Sequence, residues 1–183
     1  MQEMNYGCGS TVHARDLSKN PKMLYVGVGG GMELLQFSYF NRQRGGVVGV
    51  DVVDEMLEAS GANFKIAEAQ NPWFKSEFVT LKKGDALNLP VDDNSIDVAA
   101  QNCLFNIFKA EDLKRAIEEM YRVLTPHGKL VMSDPTCEQQ MNDTLRNDAR
   151  LRALCLSGSL PIKDYIKALT DVGFGTIEIR ARK

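Results

Sequence analysis

Long apolar runs are missing from this chain. None approaches the roughly 18 consecutive apolar residues that a spanning helix needs, so no membrane segment is expected. An excess of positive charge is missing too. With 22 Lys and Arg against 24 Asp and Glu, the net charge is -2, and a chain without a basic footprint is not expected to bind nucleic acid. Histidine is scarce: only His13 and His127 are present, which leaves few candidates for imidazole-based proton transfer. The four cysteines, Cys8, Cys103, Cys137 and Cys155, are too scattered for a disulfide scaffold, and none forms the CxxC pair of a zinc site, so no metal centre is expected. Residues 1–10 lack a basic-then-apolar leader pattern. The thiols are therefore read as reduced and the protein as cytoplasmic.

What is present is a single-domain pattern. The 183 residues suffice for one ordinary core. Residues 1–21 read as a polar N-terminal arm, and 22–183 as one domain. Short apolar runs at 22–28, 47–51, 77–82, 95–101, 129–133 and 176–180 read as strands. Helical patterns fall at 32–41, 54–69, 111–124, 141–156 and 162–172. The third is the clearest, with Leu113, Ala116, Ile117, Met120 and Leu124 on one face and Thr125-Pro126-His127-Gly128 as its stop. Strands alternating with helices predict an α/β fold: a doubly wound, mainly parallel sheet with helices on both faces. Such sheets bind ligands beyond the carboxyl ends of their strands, which directs attention to the loops near Gly29, Asp51, Asp85, Gln101 and Asp134.

The first of these loops is Gly27-Val28-Gly29-Gly30-Gly31. Its glycines permit a tight turn and close approach of a ligand to backbone N–H groups, ahead of a helix N-terminus that favours negative charge. The spacing is G-x-G-x-G. Met32 stands where a dinucleotide fingerprint needs a small residue, and no Gly-Lys-Ser/Thr follows, so neither a nicotinamide fold nor a P-loop is favoured. Asp51, at the end of the second strand, can accept hydrogen bonds from both ribose hydroxyls of a nucleoside. Alternatively, Asp51 or Asp54 caps the following helix. Asp85 can accept from an adenine amino group while Ala86 leaves room for the ring; a solvated turn acid is the other reading.

Taken together, Gly27-x-Gly29-x-Gly31, Asp51, Asp85-Ala86, residues 89–97 and Met120-Tyr-Arg-Val-Leu-Thr-Pro-His-Gly128 resemble the successive motifs of class I S-adenosylmethionine-dependent methyltransferases. The resemblance covers roughly residues 22–180. It implies S-adenosylmethionine as cofactor, with Gly27, Gly29 and Gly31 beside its methionine part, Asp51 on the ribose, and Asp85 and Ala86 on the adenine. Gln101 and Asn102 would line the site, with Tyr6 and Met56 joining the cofactor set. One position departs from the family: an acidic residue is usual two places before the first glycine, and Tyr25 stands there. Another group must then help to hold the ammonium end of the cofactor.

The cysteine contexts narrow the acceptor. Tyr6-Gly7-Cys8-Gly9, Asn102-Cys103 and Cys155-Leu156-Ser157-Gly158 resemble the arsenic-binding contexts of arsenite methyltransferases, most closely the branch associated with arsenosugar biosynthesis. That resemblance implies methyl transfer to trivalent arsenic held by Cys8, Cys103 and Cys155, with a thiol reductant; Cys137 has no counterpart and reads as structural or a spare thiol. Two alternatives stay open. One is a methyltransferase acting on another small oxygen, nitrogen or carbon acceptor; the other is a non-catalytic module that binds cofactor or arsenic. The seventh strand usual in the family has no residues left to form it, so a homodimer through the sheet edge is a further expectation.

Overall fold

The computed structural model describes residues 9–14, 17 and 20–180. Its main sheet has five parallel strands in the order β3-β2-β1-β4-β5: β1 is Met23–Val26, β2 Val47–Asp51, β3 Val79–Lys83, β4 Ile96–Asn102 and β5 Leu124–Ser133. The expected doubly wound α/β architecture is present. Chain order reverses between β1 and β4, so the carboxyl ends of these two strands frame the crevice where such sheets bind ligands.

Alternation along β1 sends side chains to two separate cores. Met23 and Tyr25 face helices α1 (Met32–Phe40) and α2 (Asp54–Gln70), where Leu34, Phe37, Phe64 and Ala67 bury. Leu24 and Val26 face α3 (Ala110–Val123) and α6 (Ile162–Val172), against Leu113, Ile117, Met120, Tyr165 and Leu169. Each fully buried Leu or Phe contributes about 1.5–3 kcal/mol relative to exposure. Two short helices, α4 (Asp143–Arg146) and α5 (Ala149–Ala153), precede a small parallel pair, β6 (Thr136–Cys137) with β7 (Leu160–Pro161). That pair pins the chain leaving β5 to the chain entering α6.

Three expectations need correction. Residues 174–180 form no strand. After α6 the Gly173 turn leads Phe174 onto the Tyr121 ring, edge to face at 5.2 Å, which draws the segment over α3. The Thr125–Gly128 stretch is not a separate stop either: α3 ends at Val123, and β5 starts at Leu124, with a register irregularity opposite Ile96–Val98 absorbing the extra residues. The helical pattern over 141–156 is broken into α4 and α5, each beginning on a side-chain cap, Asn142 and Asp148. Among the described residues no helix is long and apolar enough to cross a membrane, and no group of three or more His, Cys, Asp or Glu could hold a metal ion.

Candidate functional site

The glycine loop lies at the crevice and is held from behind by α2. Ser60 Oγ donates to the Gly29 carbonyl at 2.9 Å, and Asn63 Nδ2 donates to that of Gly30 at 3.0 Å. Gly31 must be glycine: it has φ +82°, and a Cβ there would fall 2.8 Å from the Phe64 ring. Gly29 has φ +51°, but a Cβ there would meet nothing within 4 Å, so the loop backbone faces open space at that point. Gly27 opposes the Leu104 side chain across the crevice.

Asp51 ties this loop to the next. Its Oδ2 accepts from the Val28 amide at 2.8 Å and its Oδ1 from the Val53 amide at 3.0 Å. Neither Asp51 nor Asp54 is the N-cap of α2: Val53 holds that position with no side-chain cap, and Asp51 reaches only the Val53 amide, one residue ahead of the helix. The carboxylate is half-buried, so lone pairs remain for ribose hydroxyls. The neighbouring loop comes close as well: the Gly84 amide donates to the Asp51 carbonyl at 2.9 Å. Asp85, exposed, accepts from the Leu87 amide at 2.9 Å, and Ala86 beside it is half-buried. Met56 is half-buried on α2. Asn102 Nδ2 donates to the Gly9 carbonyl at 2.7 Å, which draws the N-terminal arm to the end of β4. The same arm is held by Glu33, whose carboxylate accepts from the Thr11 amide at 2.8 Å and the Thr11 hydroxyl at 2.6 Å. Tyr6 and Cys8, expected in the site, lie outside the described residues.

Cys103 and Cys155 come together. The Cys155 thiol donates to the Cys103 carbonyl at 3.1 Å, and both residues are buried. Both also have φ +59°, a left-handed backbone that costs a residue with a Cβ about 1–2 kcal/mol. Asn106, fully buried, locks the two segments together. Its amide donates to the carbonyls of Pro135 (2.8 Å) and Cys155 (3.3 Å), and its Oδ1 accepts from the Tyr165 hydroxyl at 2.6 Å. Cys137 lies against the same loop, its thiol donating to the Ser159 carbonyl at 3.3 Å. The expectation of uniformly reduced thiols is corrected here: Cys137 and Cys155 are free, whereas Cys103 is disulfide-bonded. Residue spacing says nothing of redox state, which depends on which sulfurs fold together.

Sequence reasoning placed Asp134 at a strand end and assigned it no role. It is half-buried beyond β5, bound through Oδ2 by the amide of Gln101. Gln101, itself fully buried, accepts from the Leu104 amide at 2.8 Å with its own oxygen. Burial pushes the Asp134 carboxyl up to about 6, a rise that the Gln101 hydrogen bond only partly offsets. Burial, and then the Asp134 charge, push the Cys155 thiol up, so it stands as a protonated donor. Burial, then the neighbouring Glu33 carboxylate, likewise push the Tyr25 hydroxyl up.

These features fit S-adenosylmethionine on the structure's own terms. An open glycine loop at Gly29, a half-buried carboxylate at Asp51 and a buried carboxylate oxygen without a partner, Asp134 Oδ1, are groups that such a ligand would engage.

Residues 24–132 match the methyltransferase domain family. An arsenite methyltransferase of Halobacterium salinarum is 27% identical over 177 residues, covering 97% of this chain and 43% of that protein. Another from Aquipseudomonas alcaligenes is 31% identical over 163 residues, covering 87% of this chain and 45% of that protein. The chain thus spans less than half the length of these curated relatives. Among solved structures, an arsenic(III) S-adenosylmethionine methyltransferase from Chlamydomonas reinhardtii superposes with a TM-score of 0.83 at 26% identity, over 94% of this chain and 57% of that one. The chain belongs to the methyltransferase domain family, with the class I S-adenosylmethionine-dependent fold, and stands close to the arsenite methyltransferases.

Proposed function

We propose that this protein transfers a methyl group from S-adenosylmethionine to trivalent arsenic held by cysteine thiolates, as the enzymes it resembles in the arsenosugar branch would. The observation that carries the proposal is the approach of Cys155 to Cys103 at the crevice, both in strained backbone conformations. Strain at two such positions is of the kind that persists where a site requires it. Thiolates are soft ligands suited to a soft centre. Each S–As bond forms as an arsenic–oxygen bond breaks, and the thiol proton leaves with the hydroxide as water. The arsenic keeps its lone pair. Bound S-adenosylmethionine would supply an electrophilic methyl group, its C–S bond breaking as the arsenic lone pair forms the As–C bond. A nucleophile of this kind needs no general base, which suits a chain whose His13 and His127 are both exposed.

In this reading Gly27, Gly29 and Gly31 take the methionine part, Asp51 the ribose, and Asp85 with Ala86 the adenine. Gln101 and Asn102 hold the crevice walls, Gln101 through the Leu104 amide and Asn102 through the arm at Gly9. Cys8 is the third thiol of the set. A thiol reductant opens the Cys103 disulfide by exchange before arsenic enters, in keeping with a cytoplasmic setting. β5 is the outer strand of the main sheet, and two copies pairing there is the assembly expected.

Arsenite titration of the reduced protein tests the reading. Cys103→Ser and Cys155→Ser each lower arsenite affinity by about tenfold or more, because each removes a soft ligand. Unchanged affinity in both variants would overturn it.

A further inference from the structure

Asp134 Oδ1 is buried and has no hydrogen-bond partner. A buried carboxylate oxygen left unpaired is costly. The protic groups around it are already committed. Gln101 Nε2 binds the other oxygen, Oδ2. The Cys155 thiol donates to the Cys103 carbonyl and the Tyr165 hydroxyl to Asn106 Oδ1. The Tyr25 hydroxyl lies beside the Glu33 carboxylate. The Phe105 and Asn106 amides lie on the Asp134 side, but neither completes a hydrogen bond to Oδ1.

The place of this oxygen along the sheet suggests what it awaits. Asp85 follows β3, Asp51 ends β2, the glycine loop follows β1, Gln101 lies near the end of β4 and Asp134 follows β5. In the site set out above, adenine, ribose and sulfonium meet these elements in that spatial order. A ligand tail continuing in that direction would run over β4 toward Asp134. Leu104 faces Gly27, its amide bonds Gln101, and Gln101 bonds Asp134, so these residues follow one another along that path.

We propose that Asp134 Oδ1 accepts the α-ammonium group of the bound S-adenosyl amino acid, supplying the carboxylate that Tyr25 does not. This rests on the S-adenosylmethionine part of the reading above and is independent of arsenic. The charged ammonium would satisfy the orphan oxygen and compensate a buried negative charge in one contact.

Calorimetry with S-adenosylhomocysteine and its desamino analogue tests this, since the two differ only in the group at issue. The wild type is expected to prefer the amino-bearing ligand by about tenfold or more, and Asp134→Asn to reduce that preference to about threefold or less. If Asp134→Asn weakens both ligands equally and keeps the preference, Asp134 only braces Gln101 and the proposal is overturned. If the variant does not fold, the wild type decides. Its preference is expected to fall as pH drops from about 8 to about 5, because a protonated carboxyl no longer pairs with ammonium; a flat preference overturns the proposal. A wild type that binds neither ligand removes the cofactor reading itself, and this inference with it.

Discussion

The thiol of Cys155 and the main-chain carbonyl of Cys103, 52 residues apart in sequence, meet at 3.1 Å. What holds them there is less the sulfurs than the Asn106 hub and the loop that packs on it. A Cβ on Gly158 would lie 1.7 Å from the Asn106 carbonyl oxygen, which no side-chain adjustment relieves. Gly158→Ala is therefore expected to cost about 1–3 kcal/mol of stability by overpacking. It should also weaken arsenite binding by unseating Cys155, while cofactor affinity holds. Urea denaturation and paired titrations check both halves; an unperturbed arsenite affinity would mean the loop tolerates the shift.

The two glycines at 29 and 31 separate fold from binding. Gly31→Ala meets the Phe64 ring at 2.8 Å and keeps a positive φ, so a loss of about 2–4 kcal/mol is expected from overpacking plus backbone strain. Gly29→Ala meets nothing and carries only the backbone cost, about 1–2 kcal/mol. Its new methyl enters the open space assigned to the cofactor, so cofactor affinity falls more than stability does. Thermal melts with cofactor calorimetry would distinguish the two effects.

Asp51→Ala removes the acceptor shared by the Val28 and Val53 amides as well as the proposed ribose contact. Cofactor binding should weaken by about 1.5–3 kcal/mol, the scale for hydrogen bonds to a charged group. A loss below about tenfold would count against the nucleoside assignment.

The Asp134 carboxyl, raised by burial to about 6, sets the sign of one pH dependence. Between the ordinary carboxylate value and about 6 the folded state holds a proton that the unfolded state has released. The contribution is intact below that window and is lost as pH rises through it, by about 3 kcal/mol for a shift of two units. In the ligand-free protein, Asp134→Asn is expected to be more stable than wild type at about pH 8 by roughly 1–3 kcal/mol and equal to it near pH 4. Denaturant midpoints at the two pH values test this; an advantage at low pH would have the wrong sign.

Much of the frame was legible in the sequence because its signals are local. The strand, glycine turn and helix at 23–40 follow one another without interruption, and Asp51 falls at a strand end whatever the tertiary detail. The alternation Thr176-Ile-Glu-Ile-Arg180 read as a strand equally well, yet the Phe174 contact with Tyr121 directed it elsewhere. Pairs that depend on the fold itself were not legible. Gln101 with Asp134 and Thr11 with Glu33 are separated by 33 and 22 residues, and nothing in either sequence context announces the partner. Cys103 and Cys155 were singled out through family resemblance rather than spacing, and the oxidised state of Cys103 had no sequence signal at all.

The decisive measurement is the speciation of arsenic after incubation of the protein with S-adenosylmethionine, arsenite and a thiol. Methylated arsenic from the wild type, reduced by about tenfold or more in Cys155→Ser, is the predicted result. A wild type that binds the cofactor but leaves the arsenic entirely unmethylated would contradict it.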